Sequence, residues 1–367
     1  MKQISVMLKP ASGLCNMRCA YCFYADLSER REIPNYGKMS AETAHKIIDN
    51  VFADLSAGDR ALFAFQGGEP TMAGIPFFAD FFSYAAENCG DIHLDFALQT
   101  NGYCIDEEWC RLLQKYPVLV GLSLDGYKQL HDSYRRDAAD KDTFRRVMEA
   151  KRLLETHRIP YNVLTVLTGQ SARHPQKLWS FFVKEHIDFV QIIPCLDGLD
   201  TEDSSPFALH PERFYRFYAA LFPLWIQQLQ QGRYISIKLF DDLANYYLRG
   251  QPTACGMDGR CNVQFVCESD GSVFPCDFYM LDAYRMGSLA EETPAALYEK
   301  GLPFLEDGRA YAKASPCLQC RYQQSCRGGC KRMKDSMYID GDFCWYAKLL
   351  DEILEPLLHA ARQLMRS

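Results

Sequence analysis

Cys15-Asn16-Met17-Arg18-Cys19-Ala20-Tyr21-Cys22 is the stretch that decides the fold: three cysteines spaced C-x-x-x-C-x-x-C, with Tyr21, Phe23 and Tyr24 around the last of them. They follow a short apolar run, Ser5 to Leu8, that reads as a first strand. The loop leaving the C-terminal end of a strand is where an α/β barrel presents its reactive groups. Three thiolates hold three irons of a cubane cluster and leave the fourth open, and an open metal position is what a reactive cofactor needs. A zinc site whose fourth ligand lies elsewhere, or three unrelated thiols, is the less demanding explanation.

Outward from the triplet, the chain to about residue 195 alternates apolar runs with amphipathic stretches, the pattern of repeated βα units. The strands are expected at Ser5–Leu8, Leu62–Gln66, His93–Gln99, Leu119–Leu124, Tyr161–Leu167 and Phe189–Ile193. Helices are expected at Ala41–Leu55, Pro76–Glu87, Glu107–Lys115, Asp142–His157 and Pro175–Glu185, with Ser40, Asp106 and Asp142 as N-caps. The fold class is therefore α/β: a partial (β/α)6, TIM-like barrel followed by a cysteine-rich C-terminal domain, since six units are too few to close an eight-stranded barrel. Asp197 to Pro206 is polar and reads as a linker or surface loop. Beyond it come helical stretches at Pro211–Gln231 and Phe240–Leu248, a hairpin of Asn262–Cys267 and Ser272–Pro275 around Glu268-Ser269-Asp270-Gly271, and a last helix from Tyr346 to Arg366. The expected divisions are 1–205, 206–250, 251–345 and 346–367.

A chain of 367 residues, 48% hydrophobic, buries a full core without help from its 16 cysteines. The N-terminal apolar run from Ile4 to Leu8 is too short for a signal-peptide core, and no apolar segment is long enough to span a membrane. A cytoplasmic protein is expected, where cysteines serve as thiolate ligands or free thiols rather than disulfides. The net charge of −7 argues against a nucleic-acid partner; Arg135-Arg136 and Arg145-Arg146 are short clusters that suit solvated helix faces.

Cys15 to Cys22 resembles the signature of the radical S-adenosylmethionine superfamily, whose fourth iron binds the amino and carboxylate groups of S-adenosylmethionine. The resemblance implies cofactor contacts from Tyr21 and Phe23, and extends to Gly67-Gly68-Glu69-Pro70, similar to the family's segment at the methionine amino group. Glycines there permit close backbone approach, and a carboxylate and carbonyls suit an ammonium. Gln99-Thr100-Asn101-Gly102 and Ser123-Leu124-Asp125-Gly126 end the third and fourth strands on the same rim. By resemblance Ser123 and Arg135 hold the carboxylate, and Asp125 or Asn101 the ribose region; each also suits a turn or helix cap.

Further on, Cys261, Gly271 and Cys276, then Cys317, Cys320, Cys326 and Cys330, then Cys344 resemble the seven-cysteine SPASM domain of peptide-modifying radical enzymes, with Cys255 as an eighth thiol. Eight thiolates saturate two four-coordinate clusters. The family's interleaved ligation implies Cys255, Cys261, Cys276 and Cys330 on one, and Cys317, Cys320, Cys326 and Cys344 on the other. Paired zinc knuckles are the alternative. Cys89, Cys104, Cys110, Cys195 and Cys267 are left as buried thiols.

Leu8-Lys9-Pro10-Ala11-Ser12, Phe65 to Thr71 and Ser269 to Tyr279 are similar to the anaerobic sulfatase-maturating group, which oxidises cysteine or serine in a C/S-x-P-x-R segment of a sulfatase to formylglycine. That resemblance implies three [4Fe–4S] clusters, S-adenosylmethionine, an unfolded or nascent sulfatase as partner, and a flavodoxin or ferredoxin as electron donor. It implies Asp277, next to Cys276, as the base, with Tyr24 and Gln66 lining the substrate pocket. A maturase of another peptide, forming thioethers or epimerising, is the nearest alternative; many of these carry a separate N-terminal recognition domain, for which a triplet at Cys15 leaves no room. A zinc-binding interaction module is the more distant one.

Overall fold

The computed structural model describes every residue except 200–203, 310–314 and 366–367. The middle of the expected linker and the last residue of the expected final helix, Arg366, lie outside the described residues. The strands are β1 (Gln3–Leu8), β2 (Met17–Cys19), β3 (Arg60–Phe65), β4 (His93–Thr100), β5 (Val118–Ser123), β6 (Arg135–Asp137), β7 (Tyr161–Leu167), β8 (Phe189–Pro194), β9 (Ser236–Ile237), β10 (Phe265–Cys267), β11 (Ser272–Phe274), β12 (Gly287–Ser288), β13 (Ile339–Asp340) and β14 (Phe343–Cys344). The chain forms two compact units, one of Met1–Ser123, His131–Tyr161 and Val263–Leu305, the other of Leu124–Leu130, Asn162–Asn262 and Glu306–Ser367.

In the first unit the strand order is β12-β11-β10-β1-β3-β4-β5, and β10, β1, β3, β4 and β5 run parallel. Along β3 buried and half-buried residues alternate, as they must when one face of a sheet packs on helices and the other does not. On the packed face Phe65 meets Phe78, Phe81 and Phe82 of the helix Ile75–Asn88 at ring separations of 4.9, 5.0 and 5.8 Å. All four rings are fully buried, each contributing about 2–3 kcal/mol of burial. Register then sets the site. Leu8 stands opposite both Phe65 and Cys267, Phe65 opposite Leu98, and Leu98 opposite Val120. The residues one step on, Lys9, Gln66 and Glu268, therefore leave their strands at one level, with Gln99 beside them in β4, which runs on to Thr100.

The expected hairpin forms as β10 and β11, with Gly271 at φ +92 closing its turn. Its parallel pairing with β1 was not visible in the sequence, because a three-residue strand leaves no periodicity to count. The same holds for β2 and β6, which pair antiparallel and tie Cys19 to Arg135. Ser40 and Asp106 cap their helices as expected. Asp142 does not. That helix starts at Phe144 with Thr143 as N-cap and no cap from its own side chain. Asp132 Oδ1 instead accepts from Thr143 N at 3.0 Å and Phe144 N at 2.9 Å, while Asp142 pairs with Arg136.

In the second unit β7, β8 and β9 run parallel, and β13 pairs antiparallel with β14. Helices Pro211–Gln230, Lys238–Arg249 and Trp345–Leu364 carry its core, with Trp225 Nε1 donating to Ile235 O at 2.8 Å. Helices Phe23–Glu29, Lys128–Tyr134 and Pro294–Arg309 were not anticipated, nor were the single turns Gln323–Cys326 and Lys334–Met337; Pro294–Arg309 contains Pro303, which reads as a breaker. Among the described residues no helix is long and apolar enough to cross a membrane.

Candidate active site

The cysteine triplet is anchored by backbone before any metal is considered. Ala20 N donates to Tyr134 O at 2.9 Å and Cys22 N to Cys19 O at 3.1 Å. Glu69 N donates to Leu14 O at 2.7 Å, and a Cβ on Gly68 would lie 2.5 Å from both Leu14 O and Ser12 O. Only glycine lets the two loops approach this closely. The Glu69 side chain is 1% exposed. Its Oε1 accepts from Thr71 N (3.1 Å), Thr71 Oγ1 (2.6 Å) and Thr100 Oγ1 (2.7 Å), and its Oε2 from Asn101 N (2.7 Å). Asn101 Nδ2 donates onward to Asn16 Oδ1 at 2.8 Å. One buried carboxylate thus ties together the loops that follow β1, β3 and β4. Burial raises its pKa, and the four donors pull the other way.

The donor set fits an iron-sulfur cluster. Burial pushes the Cys15 thiol up to about 12, with Cys19 and Cys22 adding to the rise, so cluster binding there must displace protons. Among the described residues no three metal-binding side chains converge at the separation a single ion demands; a cubane spreads its ligands over separate corners. Arg135, 7% exposed, lies over the Tyr21 ring at 5.6 Å and directs Nη1 to Cys19 Sγ at 3.8 Å. Phe23 packs against Phe278 at 5.5 Å. Ser123 Oγ accepts from Gln99 Nε2 at 3.0 Å. Asn101 Oδ1 accepts from Tyr103 N at 2.9 Å. Asp125 belongs to the second unit, where its Oδ1 accepts from Val166 N at 3.0 Å.

Asp277, 6% exposed, opens a short turn directly after Cys276. Lys9 Nζ donates to its Oδ1 at 2.7 Å and Gln66 Nε2 to its Oδ2 at 3.3 Å. Lys9 is wholly buried and stands 4.2 Å from the centre of the Tyr24 ring. Tyr24 OH donates to Glu268 Oε1 at 2.5 Å, and Glu268 also pairs with Arg31, with neither side chain exposed. Burial and the Glu268 carboxylate hold the Tyr24 phenol well above its usual range. The structure gathers Asp277, Gln66 and Tyr24 around a lysine that sequence reasoning missed. Its signal was its position, one residue past a strand on the rim. Glu268 and Arg31 had none, being 237 residues apart.

In the second unit Cys317, Cys320, Cys326 and Cys344 line one small cavity with Tyr322, Tyr338 and Tyr346. Burial raises the Cys326 thiol to about 12 and the other three thiols add to it, so the four face one another. Cys344 lies at the N-terminus of the helix Trp345–Leu364, its sulfur accepting from Ala347 N at 3.4 Å. Cys255 is raised to about 11 by burial, with Cys330 and Cys261 adding, and a Cβ on Gly256 would lie 2.7 Å from Cys330 Cβ. Cys276 belongs to the first unit. Of the leftover thiols, Cys110, Cys195 and Cys267 are buried as expected, whereas Cys89 and Cys104 are only half-buried. Cys104 Sγ accepts from Asn16 Nδ2 at 3.2 Å, beside the triplet.

The radical SAM superfamily model matches residues 10–181. The cysteine-type anaerobic sulfatase-maturating enzyme of Clostridium novyi (strain NT) is 39% identical over 343 residues, 93% of this chain and 91% of that protein. The serine-type anaerobic sulfatase-maturating enzyme of Bacteroides thetaiotaomicron is 26% identical, over 93% of this chain and 86% of its own. Among solved structures, native anSMEcpe with bound AdoMet and the Cp18Cys peptide superposes with a TM-score of 0.90 at 34% identity, covering 99% of both chains.

Proposed function

Because the chain belongs to the anaerobic sulfatase-maturating enzymes of the radical SAM superfamily, we propose that it oxidises a cysteine side chain of a sulfatase polypeptide to Cα-formylglycine. The observation that carries this is likeness over nearly the whole length, in sequence and in fold, to enzymes of that one activity. Cysteine is favoured over serine because the cysteine-type relative is 39% identical and the serine-type one 26%. Three [4Fe–4S] clusters and S-adenosylmethionine are the cofactors. Cys15, Cys19 and Cys22 hold the first cluster; Cys255, Cys261, Cys276 and Cys330 the second; Cys317, Cys320, Cys326 and Cys344 the third. The substrate is a C/S-x-P-x-R segment, the electron donor a flavodoxin or ferredoxin, and the compartment the cytoplasm.

When bound, the first cluster and S-adenosylmethionine would supply the radical chemistry that removes a hydrogen atom from the substrate Cβ, and an auxiliary cluster would supply the acceptor for the second electron. The S–H proton remains to be removed, and hydrolysis of the thioaldehyde then releases sulfide. Asp277 is the base. It is a buried carboxylate on the residue after Cys276, charged against Lys9 and within reach of Gln66. Glu69 holds the loops of the cofactor site in register through its four acceptor contacts. Arg135 and Ser123 bind the carboxylate of the cofactor, and Tyr21 and Phe23 flank it.

Anaerobically purified chain should carry about twelve irons and convert the cysteine of a C-T-P-S-R peptide to an aldehyde. Asp277→Asn should retain cleavage of S-adenosylmethionine while formylglycine falls by about 10²-fold or more. A normal formylglycine yield would remove Asp277 from the role of base.

A further inference from the structure

The buried lysine is unexplained by stability. Taking an ammonium out of water is costly, and a buried ion pair is commonly matched or bettered by apolar residues of the same volume. Lys9 is nevertheless wholly buried, and the fold makes room for it. A Cβ at Gly67 would lie 2.5 Å from its Nζ and 2.8 Å from its Cγ and Cδ. The face of Tyr24 stands on another side at 4.2 Å, and Tyr24 is itself fixed by Glu268 and, through it, Arg31. The third side is Asp277 Oδ1, at 2.7 Å. The ammonium is thus held on three sides, and the carboxylate it touches cannot turn about its Cβ–Cγ bond without breaking that contact. Among the described residues the other oxygen, Oδ2, has only the longer 3.3 Å contact from Gln66.

We propose that Lys9 is a positioning residue for the deprotonation: its ammonium holds Oδ1 of Asp277, and so presents Oδ2 as the oxygen that takes the substrate proton. This rests on the reading of Asp277 as the base. In the step, the substrate S–H bond breaks, an O–H bond forms at Oδ2, and the electron pair stays on sulfur. Lys9 keeps its proton throughout and exchanges nothing with the substrate. Its contribution is geometric, and displacement of a reacting group by about an ångström costs about 10²-fold in rate.

The test is a double-mutant cycle on the reconstituted holoenzyme with a cysteine peptide, comparing wild type, Lys9→Met, Asp277→Asn and the double variant. Iron content, 5'-deoxyadenosine, kcat and KM for the peptide are followed, with formylglycine counted by mass spectrometry over long incubations. Lys9→Met should keep its iron and its KM, lose about 10²-fold in kcat, and release more 5'-deoxyadenosine per formylglycine formed. In the Asp277→Asn background the same change should cost less than about 3-fold, because residues acting through one another are not additive. The double variant, carrying no lone buried carboxylate, should melt above Lys9→Met. Should Lys9→Met fail to load iron, Lys9→Gln carries the test, keeping a donor for Oδ1 without the charge, and its loss should be smaller on the same cycle.

An unchanged kcat in Lys9→Met overturns the proposal. So does an equal fold-loss in both backgrounds, which would make Lys9 independent of Asp277. Full activity of Asp277→Asn alone would instead overturn the base assignment, and would be recognised as such before Lys9 is considered.

Discussion

Replacing Glu69 by glutamine tests whether this residue is a cofactor contact or the tie between three loops. The carboxylate accepts three donors at Oε1 and the Asn101 amide at Oε2, 2.7 Å away. Glutamine has one acceptor oxygen. With that oxygen on the crowded side, its NH2 faces the Asn101 N–H, donor against donor. A charge-assisted bond and the satisfaction of a buried amide are lost together, at about 2–4 kcal/mol. Part is returned, because a neutral amide is easier to bury than a carboxylate whose pKa burial already raises. A net cost of about 2–3 kcal/mol is expected, and it falls on the Asn101 peptide. Hydrogen exchange of that amide in metal-free protein should therefore speed up about 30- to 150-fold at 1.4 kcal/mol per decade. Through Asn101 Nδ2 and Asn16 Oδ1 the loosening reaches the cysteine loop, so iron loading at the first cluster should fall too. Asn101 exchange at the wild-type rate, with cofactor affinity alone reduced, would refute the loop-tie argument.

Two further outcomes follow from the same geometry. Gly67→Ala combines a positive φ of +108 with a Cβ 2.5 Å from Lys9 Nζ, whereas Gly74→Ala has a φ of +96 but no contact nearer than 3.7 Å, to Pro76. Backbone strain of about 1–3 kcal/mol is common to both, so in urea Gly67→Ala should be less stable than Gly74→Ala by about 2 kcal/mol or more, the cost of displacing a buried cation from its partner; equal midpoints would sink this. Cys195 is 4% exposed and burial raises its thiol from 9.0 to about 12, with Asp197 and Asp125 adding. A folded pKa above the unfolded one gives stability that is full below pH 9 and drains as pH rises towards the folded value. Between pH 8 and about 10.5 the wild type should lose about 2 kcal/mol more than Cys195→Ala, at 1.36 kcal/mol per pH unit, and parallel stability curves would contradict it.

The parts of this molecule that showed in its sequence are those whose chemistry demands fixed spacing along the chain. Cys15, Cys19 and Cys22 lie within eight residues, a spacing that a single stretch of chain can bring to one cluster, and Gly67 to Pro70 must be contiguous to line a loop. Strands such as β3 and β4 declare themselves by alternation, which follows from having one packed face. What stayed hidden are single side chains whose partners are remote. Asp142 had the composition and position of an N-cap, and lost that role to Asp132, whose carboxylate reaches the first amides of the helix from farther along the chain. Glu268 read correctly as the start of a hairpin turn, yet its charge is spent on Arg31 and Tyr24, over two hundred residues away.

Lys9 lies between these cases, and it shows where a sequence argument can be pushed further. A lysine one residue beyond a buried strand is ordinary if the strand ends in solvent. It is anomalous if the neighbouring strands end level with it, as β3 and β10 do, because then it leaves its strand beside the polar residues Gln66 and Glu268. Level strand ends are a consequence of parallel register, and register is what βα repeats impose. The repeat pattern alone therefore makes residues one step past each strand the set to examine for polar groups that meet. In this chain that set contains the cation, and the acid it holds comes from the turn that follows β11, where no such counting reaches. Half of this buried ion pair was open to inference from the repeat, and the other half awaited the fold.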